Sequence, residues 1–272
     1  MCELFGLSSR LPTRATFCLR KFAGHGALGH TSVDGWGVAF YDLQDACDVR
    51  LYKEPEPAGD SAWLEFVEQR GVISSRLVSH IRRATRGDIT HSNTQPFSRE
   101  LAGRMHVFAH NGDVGEIALP ASAASDRYRP VGQTDSEAAF CMLMDEMSAL
   151  WTAGGVPAIE ARLEVVARFA VEMRALGQAN FLYSDGEALF AHGHKRIQKD
   201  GTTAAPGLWR LRRERPADGD DLPDCGFNIA TSDAKQDIIL VASVPITDEA
   251  WEPFAERELI AMRHGEIIGR VG

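Results

Sequence analysis

The second residue of the chain is a cysteine, Cys2, which follows Met1 directly. Removal of Met1 would leave the thiol of Cys2 beside a free α-amine on the same residue. A thiol is a weak nucleophile until a base takes its proton, and a terminal amine has a pKa of about 8. Cys2 could therefore supply both a nucleophile and its general base. Cysteine at position 2 also occurs by chance, so other motifs must support this interpretation.

Two later motifs could bind and polarise a substrate. Residues 80–87 (HIRRATRG) follow a predicted strand, and a guanidinium there could hold a carboxylate through two hydrogen bonds. The alternative for this motif is a basic strand end that faces water. Residues 110–113 (HNGD) follow the strand predicted over 105–109. Asn-Gly is typical of a hairpin turn, but a side-chain amide and the next backbone N–H can also form an oxyanion hole.

Two further motifs surround the start of a predicted helix or turn. Residues 93–97 (NTQPF) alone predict a turn. Residues 134–137 (TDSE) are typical of a capping box before an apolar run, with Thr134 and Glu137 as the capping residues. This arrangement would hold Asp135 at the helix start, where its carboxylate could accept hydrogen bonds from an ammonium group.

Composition excludes several classes of partner. The chain has 272 residues, of which 44% are hydrophobic, and a net charge of −9. An acidic chain lacks the basic surface that nucleic acids and anionic membranes require. No apolar run reaches the roughly 18–20 residues that span a bilayer, and no secretory pattern opens the chain. We therefore expect a cytoplasmic protein with no nucleic-acid or membrane partner.

The cysteines and histidines favour neither a disulfide framework nor a metal site. The five cysteines are scattered without a C-x-x-C pair, which predicts free thiols. His192 and His194 could bind a metal, but no carboxylate or cysteine lies at ligand spacing, so a strand-end pair of histidines is favoured. Cys141 could imitate a papain-like nucleophile, although its apolar helical setting favours an inert buried thiol. We expect neither a metal nor a cofactor.

The pattern along the chain predicts sheets with a helical layer, in a single domain over 1–272. Short apolar runs predict strands in both halves, and Asp185-Gly186 predicts a hairpin. Periodic apolar residues predict two adjacent helices between the two sets of strands. The loop 195–209 and the charged stretch 212–224 are expected to be exposed. The predicted strands are 2–7, 36–41, 49–52, 76–81, 105–109, 179–183, 188–191, 227–230, 238–242, 259–263 and 266–268, and the predicted helices are 60–70, one opened by 134–137, and one from Ile159 to Met173.

The order of the motifs resembles the class II, N-terminal-nucleophile glutamine amidotransferases. In that family the motifs look like CGIFG, HxRxATxG, AxPF or AHP, HNG, and [ST]D[TS]E. Here they stand as CELFG at 2–6, HIRRATRG at 80–87, TQPF at 94–97, HNG at 110–112 and TDSE at 134–137. The MCEL start, DGWG at 34–37 and RPVGQT at 129–134 look closer still to the stand-alone YafJ-like branch. The resemblance runs nearly end to end.

The resemblance implies an Ntn-hydrolase fold, a four-layer αββα sandwich, and an amidohydrolase activity. Cys2 would attack a γ-glutamyl amide and form a thioester, releasing ammonia, with its own amine as the base. Asn111 and the N–H of Gly112 would form the oxyanion hole. The residues implied to bind the substrate are Arg82 and Thr85 at its α-carboxylate, Asp135 at its α-ammonium, and His110.

This chain departs from the family pattern at several positions. Glu3 replaces a glycine, and Gln95 stands where some members carry a histidine. Arg83 and Arg86 replace an aromatic residue and a histidine of some branches. The arginine that steadies the cysteine in other branches has no certain counterpart, with His30 and Asp34 in the right region.

Three alternatives stay open at this point. Full-length amidotransferases add a synthase domain, and since the strands after Gly177 are needed to finish the sandwich, we expect none here. Ammonia would then pass to a separate synthase subunit or to no acceptor. A second alternative is a γ-glutamyl hydrolase that acts on a larger conjugate. A third, from another class, is a non-catalytic glutamine-binding regulatory domain, against which the intact Cys2, Asn111 and Asp135 argue.

Overall fold

The structure, a computed structural model, describes residues 2–15, 34–41, 47–84, 87–115, 127–151, 155–215 and 236–272. Successive side chains of a strand point to opposite faces of its sheet. Because many strands of this protein are apolar at successive positions, both faces of its two antiparallel sheets are buried. In strand β12 (Gln236–Ala242), for example, Ile239 and Val241 face the other sheet, whereas Leu240 and Ala242 face outward into a separate core. Two buried faces on each sheet require covering layers on the outside.

Seven of the described strands form the first sheet, in the order β13–β11–β12–β1–β4–β2–β3. Strand β1 is central and pairs antiparallel with both β12 and β4. The bounds are Glu3–Ala15 (β1), Gly35–Tyr41 (β2), Val49–Glu54 (β3), Val72–Arg82 (β4), Trp209–Arg215 (β11), Gln236–Ala242 (β12) and Glu252–Pro253 (β13).

Six of the described strands form the second sheet, in the order β15–β14–β8–β7–β6–β5. A short hairpin of β9 and β10 lies outside both sheets. The bounds are Phe97–Leu101 (β5), Arg104–Asn111 (β6), Asn180–Ser184 (β7), Leu189–His192 (β8), Arg196–Ile197 (β9), Thr203–Ala204 (β10), Leu259–Arg263 (β14) and Glu266–Val271 (β15).

The helices complete a four-layer sandwich. Helices α2 (Asp135–Ser148) and α3 (Ile159–Leu176) bury Phe140 and Phe169 against Phe108 and Phe181 of the second sheet. Helix α1 (Ala62–Arg70) packs on the outer face of the first sheet. Between the sheets lies a third core that joins residues of both. This α+β arrangement confirms the expected αββα sandwich. No helix in the described ranges is long and apolar enough to span a bilayer.

Most predicted elements are confirmed, with bounds that match within a few residues or, in β1 and β4, extend further. The Asp185 hairpin is confirmed too, and its central residues are Gly186 and Glu187, because the N–H of Asp185 donates to the carbonyl of Ala188. Thr134 caps α2 by accepting from the N–H of Glu137. The Glu137 carboxylate instead accepts from the N–H of Gly132 and from Arg99, so its capping role is wrong.

Two predictions about exposed loops are wrong in part, since 199–203 are exposed as expected and 216–224 lie outside the described residues. Residues 212–215 are not an exposed charged stretch but the end of β11, where Leu211 and Arg213 are buried and Arg212 is exposed. Charged side chains on the outward face hid the strand pattern, and Arg213 pairs with Glu249. The 195–209 loop contains the β9–β10 hairpin. Strand β5 was missed because the turn signal at Pro96 precedes it. The strand predicted over 227–230 lies outside the described residues.

Candidate active site

The thiol of Cys2 lies at the start of the central strand, beside the end of β4. Antiparallel pairing sets Glu3 opposite Ile81, which brings the residue before it to Arg82 and Arg83. The sulfur accepts a hydrogen bond from the N–H of Arg83 at 3.1 Å and lies 3.2 Å from the carbonyl of the same residue. The register of β1 and β4 therefore aligns the cysteine with the basic motif.

Arg82 closes the site on one side. Its side chain is buried, and Nη2 donates to the carbonyl of Gly87 at 3.3 Å. Asp34, at the entrance to β2, donates its N–H to the Arg82 carbonyl and accepts from the N–H of Ala84 at 2.7 Å. The acid therefore braces the backbone on both sides of Arg83. Thr85 lies outside the described residues.

Asn111 brings the second sheet to the cysteine. It is the last residue of β6, and its Nδ2 lies 2.5 Å from the carbonyl oxygen of Cys2. The next residue, Gly112, must be glycine because a Cβ there would lie 1.7 Å from the carbonyl oxygen of Gln178. The Asn111 amide therefore lies beside the backbone of Cys2, and Gly112 follows it directly in the chain.

Two side chains hold the end of β6 in place. The amide of Gln95 donates to the His110 carbonyl at 3.1 Å and accepts from its N–H at 2.7 Å, like a short stretch of β-strand. The buried His110 ring lies 2.9 Å from the Gln178 carbonyl and 3.0 Å from Ser136 Oγ. A carbonyl can only accept, so Nε2 donates and Nδ1 accepts from Ser136. Both ring nitrogens are therefore engaged inside the protein.

Asp135 lies where α2 begins, half-buried beside the Asn111–Gly112 loop. Its Oδ2 accepts from the N–H of Val114 at 3.1 Å, and Oδ1 accepts from the N–H of Ser136 at 2.8 Å. These bonds to two backbone donors fix the orientation of the carboxylate. The structure thus assembles Cys2, Arg82, Asn111 and Asp135 from four separate elements.

Opposing effects act on the pKa of the Cys2 thiol. Burial raises the pKa of Cys2 above its ordinary value, whereas the N–H of Arg83 and the Arg82 guanidinium lower it. Burial dominates, so the thiol is protonated near neutral pH and requires a base. Burial also lowers the pKa of His80 to about 3 and lowers the pKa of His110. Neither histidine carries a charge at neutral pH, whereas the Arg82 guanidinium is a cation that acts on the thiol.

Sequence reasoning missed several residues that support the site. Ser243, just after β12, accepts from the N–H of Leu4 at 2.9 Å and from Asn111 Nδ2 at 3.3 Å. Asn93 bonds to the Asp88 carbonyl and to Gln133, which ties the loop after Arg82 to the segment before Asp135. Asn93 stands in the NTQPF motif and could have been found there. No local pattern marks Ser243.

The sandwich and its Cys–Arg–Asn–Asp constellation define a class. The family model for class II glutamine amidotransferases matches residues 1–271, and the chain belongs to that family. It is 31% identical over 272 residues to the putative glutamine amidotransferase YafJ of Escherichia coli, covering 98% of this chain and all of that one.

Solved structures agree with the fold. The 2.0 Å crystal structure of a predicted glutamine amidotransferase from Pseudomonas aeruginosa is 30% identical, with a TM-score of 0.70 over 98% of this chain and all of that chain. Glutamine phosphoribosylpyrophosphate amidotransferase from Bacillus subtilis is 14% identical, with a TM-score of 0.59, and covers 99% of this chain against 49% of its own. At that identity the likeness concerns the fold alone.

Proposed function

We propose that the protein hydrolyses a γ-glutamyl amide, with glutamine as the first candidate, through a thioester on Cys2. Family membership supports the class of reaction. The observation that carries the proposal is the convergence of the Cys2 sulfur, held 3.1 Å from the N–H of Arg83, and the Asn111 amide, 2.5 Å from the Cys2 carbonyl. A nucleophile and a hydrogen-bond donor from different sheets meet there.

The head group of glutamine carries one negative and one positive charge. Arg82 would bind its α-carboxylate, because a guanidinium matches a carboxylate with two hydrogen bonds. Asp135 would accept from its α-ammonium, since its carboxylate is fixed by the N–H groups of Val114 and Ser136. With both ends held, the carboxamide carbon can reach the thiolate at about 3–3.5 Å. We assign His110 to positioning, because its ring is engaged by Ser136 and Gln178.

The reaction needs a base, because burial keeps the thiol protonated. Once Met1 is removed, the α-amine of Cys2 would take that proton. The thiolate then adds to the carboxamide carbon, and the oxyanion accepts from the Gly112 N–H and from Asn111 Nδ2, which exchanges the Cys2 carbonyl for the oxyanion as its acceptor. Collapse of this intermediate breaks the C–N bond, and the ammonium of Cys2 protonates the leaving ammonia. Water then cleaves the thioester, which releases glutamate and restores the thiol.

The test uses protein whose intact mass shows that Met1 is removed. A glutamine-like diazoketone should alkylate one thiol per chain, and peptide mass should place the label on Cys2. Cys2→Ala should abolish both labelling and ammonia release from glutamine, while Cys141→Ala, which removes a buried thiol on α2, should change neither. Labelling that survives in Cys2→Ala would refute the mechanism. Rates on a panel of γ-glutamyl amines would then define the leaving group.

A further inference from the structure

A buried ion pair lies directly behind the nucleophile. Glu3 is 2% exposed and Arg196, at the start of the β9–β10 hairpin, is 8% exposed. Arg196 Nη2 lies 2.9 Å from Glu3 Oε1, and Nη1 lies 3.4 Å from Oε2, which is the geometry of a two-pronged contact. The acid follows Cys2 in the chain, so its position is coupled to that of the thiol through one peptide unit.

The same guanidinium reaches the segment that carries Ser243. Arg196 Nη1 also donates to the Ser243 carbonyl. The N–H of Ser243 donates to the Leu4 carbonyl at 3.0 Å, and its hydroxyl accepts from the Leu4 N–H at 2.9 Å. The hydroxyl lies 3.3 Å from Asn111 Nδ2, which also donates to the Cys2 carbonyl. Arg196 therefore connects the neighbour of the nucleophile to the amide donor through a single serine.

Stability alone does not account for this pair. Removing two charges from water costs about as much as their attraction returns, so a buried pair is often no more stabilising than apolar residues of the same size. What the pair does provide is a fixed geometry, because a planar guanidinium can satisfy a carboxylate and a carbonyl at once. A single point charge could not make both contacts with the same alignment.

We propose that Glu3 and Arg196 are positioning residues that hold the Cys2 thiol and the Asn111 amide in one alignment. This inference rests on the function proposed above. It assigns a role to Glu3, the position where the chain departs from the glycine of the family motif. The head group of the substrate would be bound elsewhere, by Arg82 and Asp135, so the pair should affect the reacting atoms and not substrate affinity.

The first test measures steady-state kinetics of Glu3→Gln, Arg196→Lys and the neutral double variant Glu3→Gln/Arg196→Gln, per active site titrated with the diazoketone. Misalignment of reacting groups by about 1 Å can cost on the order of 100-fold, so we expect kcat to fall about 10- to 100-fold. The KM for glutamine should stay within about twofold, because ground-state binding is unchanged. Glu3→Asp should recover part of kcat.

The matched control is Arg213→Gln, which removes another Arg–Glu pair of the first sheet, with Glu249. Arg213 pairs with Ile238, four residues along β12 from the Ala242 that faces Phe5, so it lies away from the thiol. This variant should lower the melting temperature and leave kcat unchanged. A folded double variant with wild-type kcat would overturn the proposal. So would a loss in kcat that Arg213→Gln reproduces at equal loss of stability.

A second readout separates this inference from the proposed reaction. The rate at which iodoacetamide alkylates Cys2 needs no glutamine chemistry. If wild-type protein releases no ammonia from glutamine, the proposed substrate is wrong. Glu3→Gln alone would also lower the pKa of Cys2, because the Glu3 carboxylate raises it. Slower alkylation of Cys2 in the neutral double variant Glu3→Gln/Arg196→Gln than in Arg213→Gln would still support positioning. Equal alkylation rates in those two variants would overturn the positioning role and leave the proposed reaction untouched.

Discussion

Two buried clusters of charge lie at opposite ends of the same strands. Strands β6 and β7 pair from Asn111 and Asn180 at one end to Val107 and Ser184 at the other. The Asn111 end carries Glu3 and Arg196 beside the thiol, and the Ser184 end carries the turn 185–188. Both clusters pair arginine with carboxylate in a buried setting, so the residue types alone do not distinguish them. We call the residues at the Asn111 end the near cluster, which comprises Glu3 and Arg196 together with Cys2, Arg82, Asn111 and Asp135. We call the residues at the Ser184 end the far cluster, which comprises Asp185, Glu187, Arg162 and Arg263.

In the far cluster, the carboxylates of Asp185 and Glu187 are bonded to other groups of the protein. Asp185 is fully buried, with Oδ1 accepting from two N–H groups of its own turn and Oδ2 2.6 Å from Arg162 Nη1. Glu187 accepts from Arg162 and Arg263, and these bonds lower its pKa although burial opposes them. The cluster closes one hairpin onto α3 and β14. Both carboxylates are occupied within the protein.

The near cluster differs in what it connects. Cys2, Arg82, Asn111 and Asp135 come from four elements, and side chains there bond mainly to backbone groups of other elements. Such contacts fix the positions of these side chains, and in the proposed reaction Arg82 and Asp135 would bind the two charged groups of glutamine. The comparison indicates that the near end should respond to substitution in rate and the far end in stability.

The largest effect should come from Arg162→Met at the far end. This change leaves the buried Asp185 carboxylate without its cation, and breaking a buried pair costs about 3–5 kcal/mol. Denaturant unfolding should show that loss, while kcat and KM per folded protein stay at wild-type values. Arg168→Met on the same helix, where the guanidinium is exposed, serves as the control. A fall in kcat per active site in Arg162→Met would contradict the view that the far end affects stability alone.

The next effect should come from Asn111→Ala at the near end. Loss of one oxyanion donor lowers kcat by about 10²–10³-fold. Asn111→Asp keeps the shape without the donor and should fall by as much. Stability should change less than in Arg162→Met, because Asn111 pairs no buried charge. Ammonia release and chemical unfolding measured on the same samples would check both parts, and a variant that keeps full kcat would exclude Asn111 from the oxyanion hole.

Acid should lower the free energy of unfolding, because both ends of the strands contain histidines that are buried and neutral. Burial lowers the pKa from 6.5 to about 3 for His80 and His192 and to about 4 for His106. Below pH 6.5 these histidines bind protons in the unfolded chain but stay neutral in the folded chain. The free energy of unfolding therefore falls as the pH drops from 6.5 towards the lowered pKa values. Each such histidine lowers the free energy of unfolding by up to about 1.4 kcal/mol for each pH unit of acidification.

The far-end variant His106→Gln isolates one of these protons. His106 Nδ1 lies 2.6 Å from the Tyr183 hydroxyl, a contact that glutamine can replace. Unfolding free energies measured from pH 7 to pH 4 should therefore depend less steeply on pH in the variant, by up to about one proton. Equal slopes in both proteins would show that His106 takes up its proton in the folded state.

The sequence was sufficient for elements with strong local signals and for the residues of ordered motifs. The apolar stripes of α2 and α3 and the short apolar runs of β2 and β12 predicted those elements, and five motifs predicted the candidate site residues. Strand β11 escaped because its outward charges, such as Arg212 and Glu214, mask the alternation. Ser243 and Arg196 escaped for another reason. Their importance comes from contacts with residues about 240 and 190 positions away, which no local pattern encodes.

The smallest effect should come from the cap of α2, which tests whether the near end can lose stability and affinity together. Thr134 Oγ1 accepts from the N–H of Glu137 at 3.2 Å, and Thr134→Ala should cost about 1 kcal/mol. Because the cap holds the turn that carries Asp135, the KM for glutamine should rise by up to about fivefold, the equivalent of that energy, with little change in kcat.

Thr134→Ser keeps the acceptor oxygen and should restore both stability and KM. A KM that stays at the wild-type value while stability falls would show that Asp135 is held by the N–H groups of Val114 and Ser136 alone. Binding at the near end would then depend on the same kind of local backbone contacts that fix Asp185 at the far end. The two clusters would differ only in whether a substrate can reach them.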